Sequence, residues 1–206
     1  MGKLILETQV SLDGFMAGPE GQTDWMIWNW GPEWTWDIAL QEFHTQLTLS
    51  AAHLLISRQM AEEGFIAHWR QTAEQKNSQA IFARHIAEAP KIVISTTLSK
   101  DDLIPGGWET AGIADDLIAT VEKLKKQTTG NIVVYGGATL VGSLLSHQLI
   151  DELYLLVNPV VIGQGMSVFS ELKELVNFKL KEVSAYSSGI TVLNYTILTE
   201  LAKKSR

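Results

Sequence analysis

The chain has 206 residues, 46% of them hydrophobic and 19% charged, and its formal net charge is −7 at pH 7. This length and composition are typical of a globular protein with a substantial core, and they exclude a disordered chain. The acidic balance argues against a general nucleic-acid surface, and no apolar run approaches the ~18 residues that span a bilayer. We therefore expect a cytoplasmic protein whose partners are neither nucleic acid nor a membrane.

The residue types also limit the chemistry of the chain. There is no cysteine, which excludes disulfides, thiolate metal sites and cysteine nucleophiles. The five histidines are scattered and lack the spacing of paired metal ligands. We therefore predict no metal site.

In the first half of the chain, predicted strands alternate with predicted helices. Apolar runs bounded by turn residues indicate strands, and apolar residues at helical spacing indicate helices. The predicted strands are Leu4–Val10, Ala52–Ile56 and Lys91–Ser95, and the predicted helices are Glu33–Leu49 and parts of Met60–Ala89. A loop rich in glycine and tryptophan follows the first strand, from Asp13 to Pro32.

The second half continues this alternation and then changes. Helices are predicted at Ile113–Leu124 and from Ala138 onward, and strands at Ile132–Tyr135, Leu153–Ile162, Phe178–Ala185 and Ile190–Leu198. The last two strands flank Ser187-Ser188-Gly189, which predicts a C-terminal antiparallel hairpin. Short buried strands that alternate with helices predict an α/β fold with a mainly parallel central sheet flanked by helices. No linker divides the chain, so we predict a single domain over residues 1–206.

The segment IVVYGGATLVGSLL, residues 132–145, joins a buried strand to a helix through Gly136-Gly137. Gly137 is a weak N-cap, so backbone N–H groups and the positive end of the helix dipole lack a side-chain partner. Paired glycines would let a phosphate approach this backbone closely. A tight turn without a ligand is the other interpretation of the same residues.

Polar residues follow two other predicted strands. Arg58 comes directly after the second strand, where its guanidinium could grip two phosphate oxygens. Ser95, Thr96 and Thr97 end the third strand and offer hydroxyls and backbone N–H groups to a ribose phosphate. Open α/β sheets bind ligands at the carboxyl ends of their strands. The alternative is that Arg58 is a solvent-exposed residue at a helix start and that the hydroxyls only terminate a strand.

Five of the seven tryptophans lie between Trp25 and Trp36, in the loop after the first strand. Two interpretations are open. Tryptophan is enriched at interfaces and in cores, so the cluster is core or interface surface. In the second interpretation, it is an aromatic wall that stacks on a flat heterocycle and excludes water from a reaction.

Several separated segments occur in a characteristic order. They are VSLDGFMAG (residues 10–18), LLISRQMAEEG (54–64), ISTTL (94–98), GGATL (136–140) and LIDELYLLVNPVVIGQGMSVF (149–169). In this order they resemble the dihydrofolate-reductase-like superfamily, and most closely the reductase domain of riboflavin biosynthesis and its stand-alone relatives. The resemblance spans residues 4–198.

The resemblance implies an NADPH-dependent oxidoreductase that reduces a small pterin- or pyrimidine-like heterocycle. The cofactor-binding residues that it implies are Ala17, Ser57, Arg58, Ser95, Thr96, Gly136, Gly137, Ala138, Thr139 and Leu140. The implied substrate-binding residues are Trp25, Asp37 and Phe43, and no catalytic residue is assigned. A cis peptide bond between the two glycines is also implied.

Two positions depart from the family pattern. The family usually has Gly-Arg followed two residues later by Thr, whereas this chain has Ser57 and Met60. Folate-reducing members carry a carboxylate on the first helix, but the corresponding position falls near Gln41. The nearby acids, between which the sequence does not decide, are Asp24, Asp37 and Glu42.

Two functions therefore remain as hypotheses. The first is the reductase, in which Asp, Glu or an ordered water supplies the proton. The second is a dinucleotide-binding oligomeric protein with little or no reductase turnover, which the changes at Ser57 and Met60 favour.

Apolar C-terminal strands, including LYLLVNPVVIG, predict a homodimer. A cysteine-ligated zinc deaminase site cannot form from these residues.

Overall fold

A computed structural model describes residues 1–198 of the chain. Residues 199–206, the end of the predicted domain, lie outside the described residues. The chain forms two compact units, and each is assembled from separate stretches of sequence. Within the described residues, the first unit comprises Met1–Leu4 and Ile38–Gly137, and the second comprises Ile5–Asp37 and residues 138–198.

Strands and helices alternate through most of the described chain. In order they are β1 (Leu4–Val10), β2 (Phe15–Ala17), α1 (Ile38–Leu49), β3 (Ala51–Ser57), α2 (Arg58–Glu62), α3 (Phe65–Ala73), α4 (Ala80–Glu88), β4 (Lys91–Ile94), β5 (Ala111–Ala114), α5 (Leu117–Gln127), β6 (Asn131–Tyr135), α6 (Ala138–Ser146), β7 (Glu152–Val157), β8 (Met166–Ser167), β9 (Phe178–Ala185) and β10 (Thr191–Ile197). Each strand predicted from the sequence has a counterpart here. Within residues 1–198, no helix combines the length and the apolar character that crossing a membrane requires.

The strands of the first unit lie in the order β5-β4-β3-β6, and each neighbouring pair is parallel. The register aligns Ile56 with Tyr135 and Ser57 with Ile94. Parallel strands end at the same edge of a sheet, so the residues that follow β3, β4 and β6 are brought side by side.

Aromatic contacts pack the helices of the first unit on one another and on its sheet. Phe65 of α3 packs on Tyr135 of β6 with ring centroids 5.0 Å apart, and Trp69 of α3 packs on Phe82 of α4 at 5.3 Å. His44 of α1 meets Phe82 edge-on at 5.0 Å. Such pairs contribute about 0.5–1.5 kcal/mol each beyond their buried area. Tyr135, which is one of these rings, directly precedes Gly136-Gly137 in the sequence.

In the second unit the strand order is β1-β7-β10-β9. Strands β1 and β7 are parallel, whereas β10 is antiparallel to both β7 and β9. The predicted hairpin is formed by β9 and β10, and its turn holds Gly189 at φ 90°, a left-handed conformation that favours glycine. Parallel strands predominate and the last two form an antiparallel pair, so the predicted fold class is confirmed.

The amide side chains of Asn158 and Gln9 connect the tryptophan-rich loop to the strands of the second unit. The fully buried Asn158 accepts a hydrogen bond from the N–H of Ile27 at 3.0 Å and donates one to Oε1 of Gln9 at 3.1 Å. Gln9 in turn donates to the carbonyl of Trp28 at 2.7 Å. This loop therefore has a defined path along the ends of β1 and β7.

Strand β7 ends at Val157, and the predicted extension to Ile162 is wrong. Pro159 has no backbone N–H to contribute to a ladder, which terminates the strand. The chain turns there, and the N–H of Val160 donates back to the carbonyl of Asn158 at 2.8 Å.

Two predicted helix starts are also wrong. Helix α1 begins at Ile38 and not at Glu33, because Trp34 and Trp36 pack on Trp28 instead of continuing the helix.

The second wrong start is that of the helix predicted from Ile113, a residue that belongs to the four-residue strand β5. Helix α5 follows and is capped by Asp116, which accepts from the N–H of Ala119 at 2.9 Å. A strand this short is too brief for periodicity to reveal.

A lysine is buried inside the first unit. Lys91, the first residue of β4, is 1% exposed, and its Nζ donates to the carbonyls of Ala87 and Ala89 and to the hydroxyl of Thr110. It thereby joins the end of α4 to the residue before β5. Burial, with a smaller effect of nearby Arg70, lowers the pKa of Lys91 from 10.5 to about 8, because desolvation disfavours the charged ammonium.

We predict that the wild type gains stability relative to Lys91→Met as the pH rises from about 8 to about 10.5. In this window the unfolded chain holds a proton that the folded chain has released, so a rising pH favours folding. The gain over the whole window is about 3 kcal/mol. Urea unfolding of both proteins across the window measures it. If the free energies of unfolding of the two proteins changed equally with pH across this window, the lowered pKa of Lys91 would be contradicted.

Candidate functional site

Six of the predicted cofactor-binding residues lie at one edge of the sheet in the first unit. Neighbouring strands are about 4.8 Å apart, and the order β4-β3-β6 places the ends of these three strands next to one another. The residues are Ser57, Arg58, Ser95, Thr96, Gly136 and Gly137. This edge supplies a cation, hydroxyls and glycine backbone, which are groups that bind phosphate.

Ser57 ends β3 and caps α2. Its backbone is extended, and its Oγ accepts a hydrogen bond from the N–H of Met60 at 3.2 Å. Serine is a favoured N-cap because this bond satisfies one of the N–H groups that a helix start leaves unpaired. Serine at the family's glycine position therefore has a local structural reason, and its oxygen is already engaged by the helix.

Arg58 is the first residue of α2, and its guanidinium reaches solvent. The side chain is 52% exposed, and its Nη1 lies 3.3 Å from Oε1 of Glu62, one helical turn later. An exposed pair of this kind contributes about 0.3–0.5 kcal/mol, so a ligand can recruit the guanidinium at small cost. The family motif does not include Glu62, but its spacing of four residues from Arg58 in the sequence indicates that the two side chains share a helix face.

Ser95 and Thr96 have different surroundings. Ser95 is buried, and its Oγ accepts from the N–H groups of Thr97 at 3.1 Å and Leu98 at 2.9 Å. Its own N–H donates to the carbonyl of Ala114 at 3.0 Å. Ser95 therefore shapes the turn after β4, whereas Thr96 is exposed and can present its hydroxyl to a ligand.

Gly136 and Gly137 follow β6 directly. Neither has a positive φ, and every peptide bond in residues 1–198 is trans, so the implied cis bond is wrong. A Cβ built on Gly137 would meet no heavy atom within 4 Å. Backbone conformation and packing therefore do not require glycine at 137, which weakens the tight-turn interpretation. Glycine leaves open space beside the backbone instead.

The other predicted cofactor-binding residues belong to the second unit. Ala17 is buried in β2, which pairs with β8. A Cβ on Gly165 would clash with the carbonyl oxygen of Ala17, so glycine is required for this close approach. Ala138, Thr139 and Leu140 form the first turn of α6, where Thr139 is exposed and Leu140 is buried.

The three predicted substrate-binding residues are divided between the units. In the second unit, Trp25 donates its indole N–H to a backbone carbonyl of its own loop at 3.1 Å. Asp37 accepts from the N–H of Ser188 at 3.1 Å, so its carboxylate supports the turn of the hairpin. Phe43 lies partly buried on α1 of the first unit. The other two acids considered, both exposed, are Asp24 and Glu42.

Part of the tryptophan cluster is core. Trp28 and Trp36 are 2% and 4% exposed, and their ring centroids are 4.9 Å apart. Trp34 packs on Trp28 at 5.2 Å. For Trp28 and Trp36 the core interpretation holds within the second unit, whereas Trp34 is only partly buried. Trp25 and Trp30 are partly exposed, so the aromatic-wall interpretation stays open for them.

A carboxylate that the sequence interpretation did not assign joins two of the quoted segments. Asp13 accepts from the hydroxyl of Ser11 at 2.6 Å and from the N–H groups of Gly163 and Ile162 at 2.8 and 3.3 Å. The Ser11 hydroxyl above all, and these backbone donors, lower the pKa of Asp13 below its ordinary value. In the sequence, the Asp13-Gly14 dipeptide is the feature that indicates this role, because Asp-Gly is typical of hydrogen-bonded turns.

A protein-family model described as the RibD C-terminal domain matches residues 2–192 of the chain. The chain belongs to this family. The resemblance of the sequence to the reductase branch of riboflavin biosynthesis is thereby confirmed.

Members and relatives of the RibD C-terminal domain family match the chain to different extents. The uncharacterized protein YyaP of Bacillus subtilis (strain 168) is 28% identical over 94% of this chain and 94% of YyaP. The riboflavin biosynthesis protein RibD of Escherichia coli (strain K12) is 27% identical over 86% of this chain and 55% of RibD. The chain thus spans about half the length of RibD.

A solved structure with the same fold comes from Thermotoga maritima. It is a diaminohydroxyphosphoribosylaminopyrimidine deaminase/5-amino-6-(5-phosphoribosylamino)uracil reductase, and it superposes with a TM-score of 0.64 at 14% identity. The match covers 96% of this chain and 57% of that chain. At this identity the likeness shows the fold.

Proposed function

We propose that this chain is an NADPH-dependent reductase that transfers a hydride to a small pterin- or pyrimidine-like heterocycle. The observation that carries the proposal is the juxtaposition of Arg58, Thr96 and Gly137 at the ends of three adjacent parallel strands. A guanidinium, a hydroxyl and an open glycine backbone suit the phosphates of a dinucleotide. Membership of the RibD C-terminal domain family supports a reductase activity, and we propose a single reductase domain in a cytoplasmic protein.

The residues present fit a phosphorylated dinucleotide. Arg58 is exposed and held by a weak ion pair, Thr96 is exposed, and Gly137 leaves space beside the backbone. When bound, NADPH supplies the hydride. The chain would bind the phosphates through these groups, and the proposed cofactor set is completed by Ser57, Ser95, Gly136, Ala17, Ala138, Thr139 and Leu140.

For the substrate, we propose a pyrimidine-like ring and a place in riboflavin biosynthesis. The name of the Thermotoga maritima relative includes a uracil reductase, which supports this class of heterocycle. Trp25, Asp37 and Phe43 are the proposed substrate-binding residues. The partly exposed Trp25 offers an aromatic face on which a flat heterocycle can stack.

A second candidate function is a dinucleotide-binding oligomeric protein with little or no reductase turnover. Ser57 favours it, because a side chain stands where the family has glycine and its oxygen is engaged by Met60. Fluorescence titration with NADPH, followed by oxidation assays with dihydrofolate and with phosphoribosylamino-pyrimidines, separates the two functions. Turnover of either substrate supports the reductase, whereas NADPH binding without turnover on any carbonyl or imine acceptor supports the second candidate.

We predict that Arg58→Ala weakens NADPH binding by about 1.5–3 kcal/mol, the scale of hydrogen bonds to a charged group. The free energy of unfolding should change little, because the ion pair that is lost is exposed. Titration of NADPH fluorescence measures the dissociation constant. Arg84→Ala, at an exposed arginine on α4, is the matched control. An Arg58→Ala variant that binds as tightly as the control would rule out the phosphate contact.

We predict that Gly137→Ala lowers NADPH affinity by about tenfold or more while the Tm stays the same or rises slightly. A methyl group there would occupy the space beside the backbone, yet alanine at a compatible φ stabilises a fold by about 0.4–1 kcal/mol. Gly165→Ala is the contrasting variant, because its Cβ would meet the carbonyl of Ala17 and lower the Tm. Intact affinity in Gly137→Ala would show that no ligand approaches this turn.

A homodimer is part of the proposal. Leu180 and Val183 of strand β9 are 48% and 52% exposed, and β9 lies at the end of the strand order of the second unit. Exposed apolar side chains on such a strand favour association, and most homo-oligomers are two-fold dimers. Light scattering at micromolar concentration should give about twice the chain mass of 22.8 kDa. A value near the single-chain mass would refute the dimer.

A further inference from the structure

The cation at the end of β3 has a carboxylate as its neighbour. Nη1 of Arg58 lies 3.3 Å from Oε1 of Glu62, and both side chains are substantially exposed, at 52% and 41%. The two residues are four positions apart on α2, so they share one face of the helix. Any anion that binds Arg58 therefore meets a pair with no net charge instead of an isolated cation.

The other acid at the end of α2 is engaged elsewhere. Glu63 accepts from the side-chain amide of Gln59 at 2.7 Å, and its backbone N–H continues the helical bonding to the carbonyl of Gln59. Glu62 and Glu63 are adjacent, exposed and of equal charge, but only Glu62 contacts Arg58. This difference provides a matched pair of positions for an experiment.

NADPH and NADH differ by one phosphomonoester on the adenosine ribose. That group carries a charge of about −1.5 to −2 at pH 7, whereas NADH has an uncharged hydroxyl in its place. A carboxylate that contacts the receiving guanidinium repels the phosphate and competes for the same N–H donors. It has little effect on the hydroxyl.

We propose that Glu62 is a specificity-determining residue that weakens the preference of this chain for NADPH over NADH. The proposal rests on the proposed function and takes the phosphate that Arg58 receives to be the phosphomonoester on the adenosine ribose. Glu62 acts in two ways: it holds the guanidinium along the helix, and it adds a negative charge beside the phosphate. The cofactor preference is then set by the Arg58–Glu62 pair and not by the arginine alone.

The test compares dissociation constants for NADPH and NADH, by fluorescence titration, in the wild type, Glu62→Gln, Glu62→Lys and Glu63→Gln. Glu62→Gln should tighten NADPH binding about two- to fivefold and leave NADH nearly unchanged, and Glu62→Lys should shift the ratio further in the same direction. Glu63→Gln should match the wild type. The effect should shrink between ~0.01 M and ~1 M salt, where the Debye length falls from ~30 Å to ~3 Å.

The outcomes separate this inference from the proposed function. If Arg58→Ala weakens NADPH binding while Glu62→Gln leaves the NADPH to NADH ratio unchanged, the inference is wrong and the function stands. Equal shifts in Glu62→Gln and Glu63→Gln would also overturn it, because a general change of surface charge would then explain both. If the wild type binds neither dinucleotide, the proposed function fails and the inference fails with it.

Discussion

The candidate site depends on the parallel pairing of β3 with β4 and β6. This pairing places Ser57 level with Ile94, and Ile56 level with Tyr135, so that three strands end together. Residues that are far apart in sequence, Arg58, Thr96 and Gly137, then share one edge. The aromatic contact between Phe65 and Tyr135 supports that edge from α3, because Tyr135 directly precedes the glycines. Without this register the motifs would remain separate turns.

At this edge, some polar side chains shape the backbone and others are exposed to solvent. The hydroxyls of Ser57 and Ser95 accept hydrogen bonds from backbone N–H groups and define the start of α2 and the turn after β4. Arg58 and Thr96 are among the exposed polar side chains of the two segments. A rigid backbone beneath exposed groups is what a preorganised binding site needs, because the ordering cost is met during folding.

Lys91 and Arg58 lie at opposite ends of two neighbouring strands, β4 and β3. Lys91 begins β4 and is buried, so its charge affects the free energy of unfolding and its pH dependence. Arg58 follows the end of β3 and is exposed, so its charge is available to a ligand and is adjusted by Glu62. Burial thus ties the charge of Lys91 to stability, whereas exposure leaves the charge of Arg58 accessible from solvent.

The sequence by itself determined the fold class, the family and seven of the ten described strands, because apolar periodicity and short motifs are local properties, whereas β2, β5 and β8 are too short to show periodicity. It also located Arg58 and the paired glycines, since each follows an apolar strand. Only the tertiary structure decided that Trp28, Trp34 and Trp36 pack together instead of starting α1, and that Ile113 lies in a strand. The tertiary structure alone also showed that the Ser95 hydroxyl accepts hydrogen bonds within a turn, and that the space beside the Gly137 backbone is open. These outcomes depend on how each segment packs within its unit and on which side chains remain exposed, and no spacing along the chain encodes either.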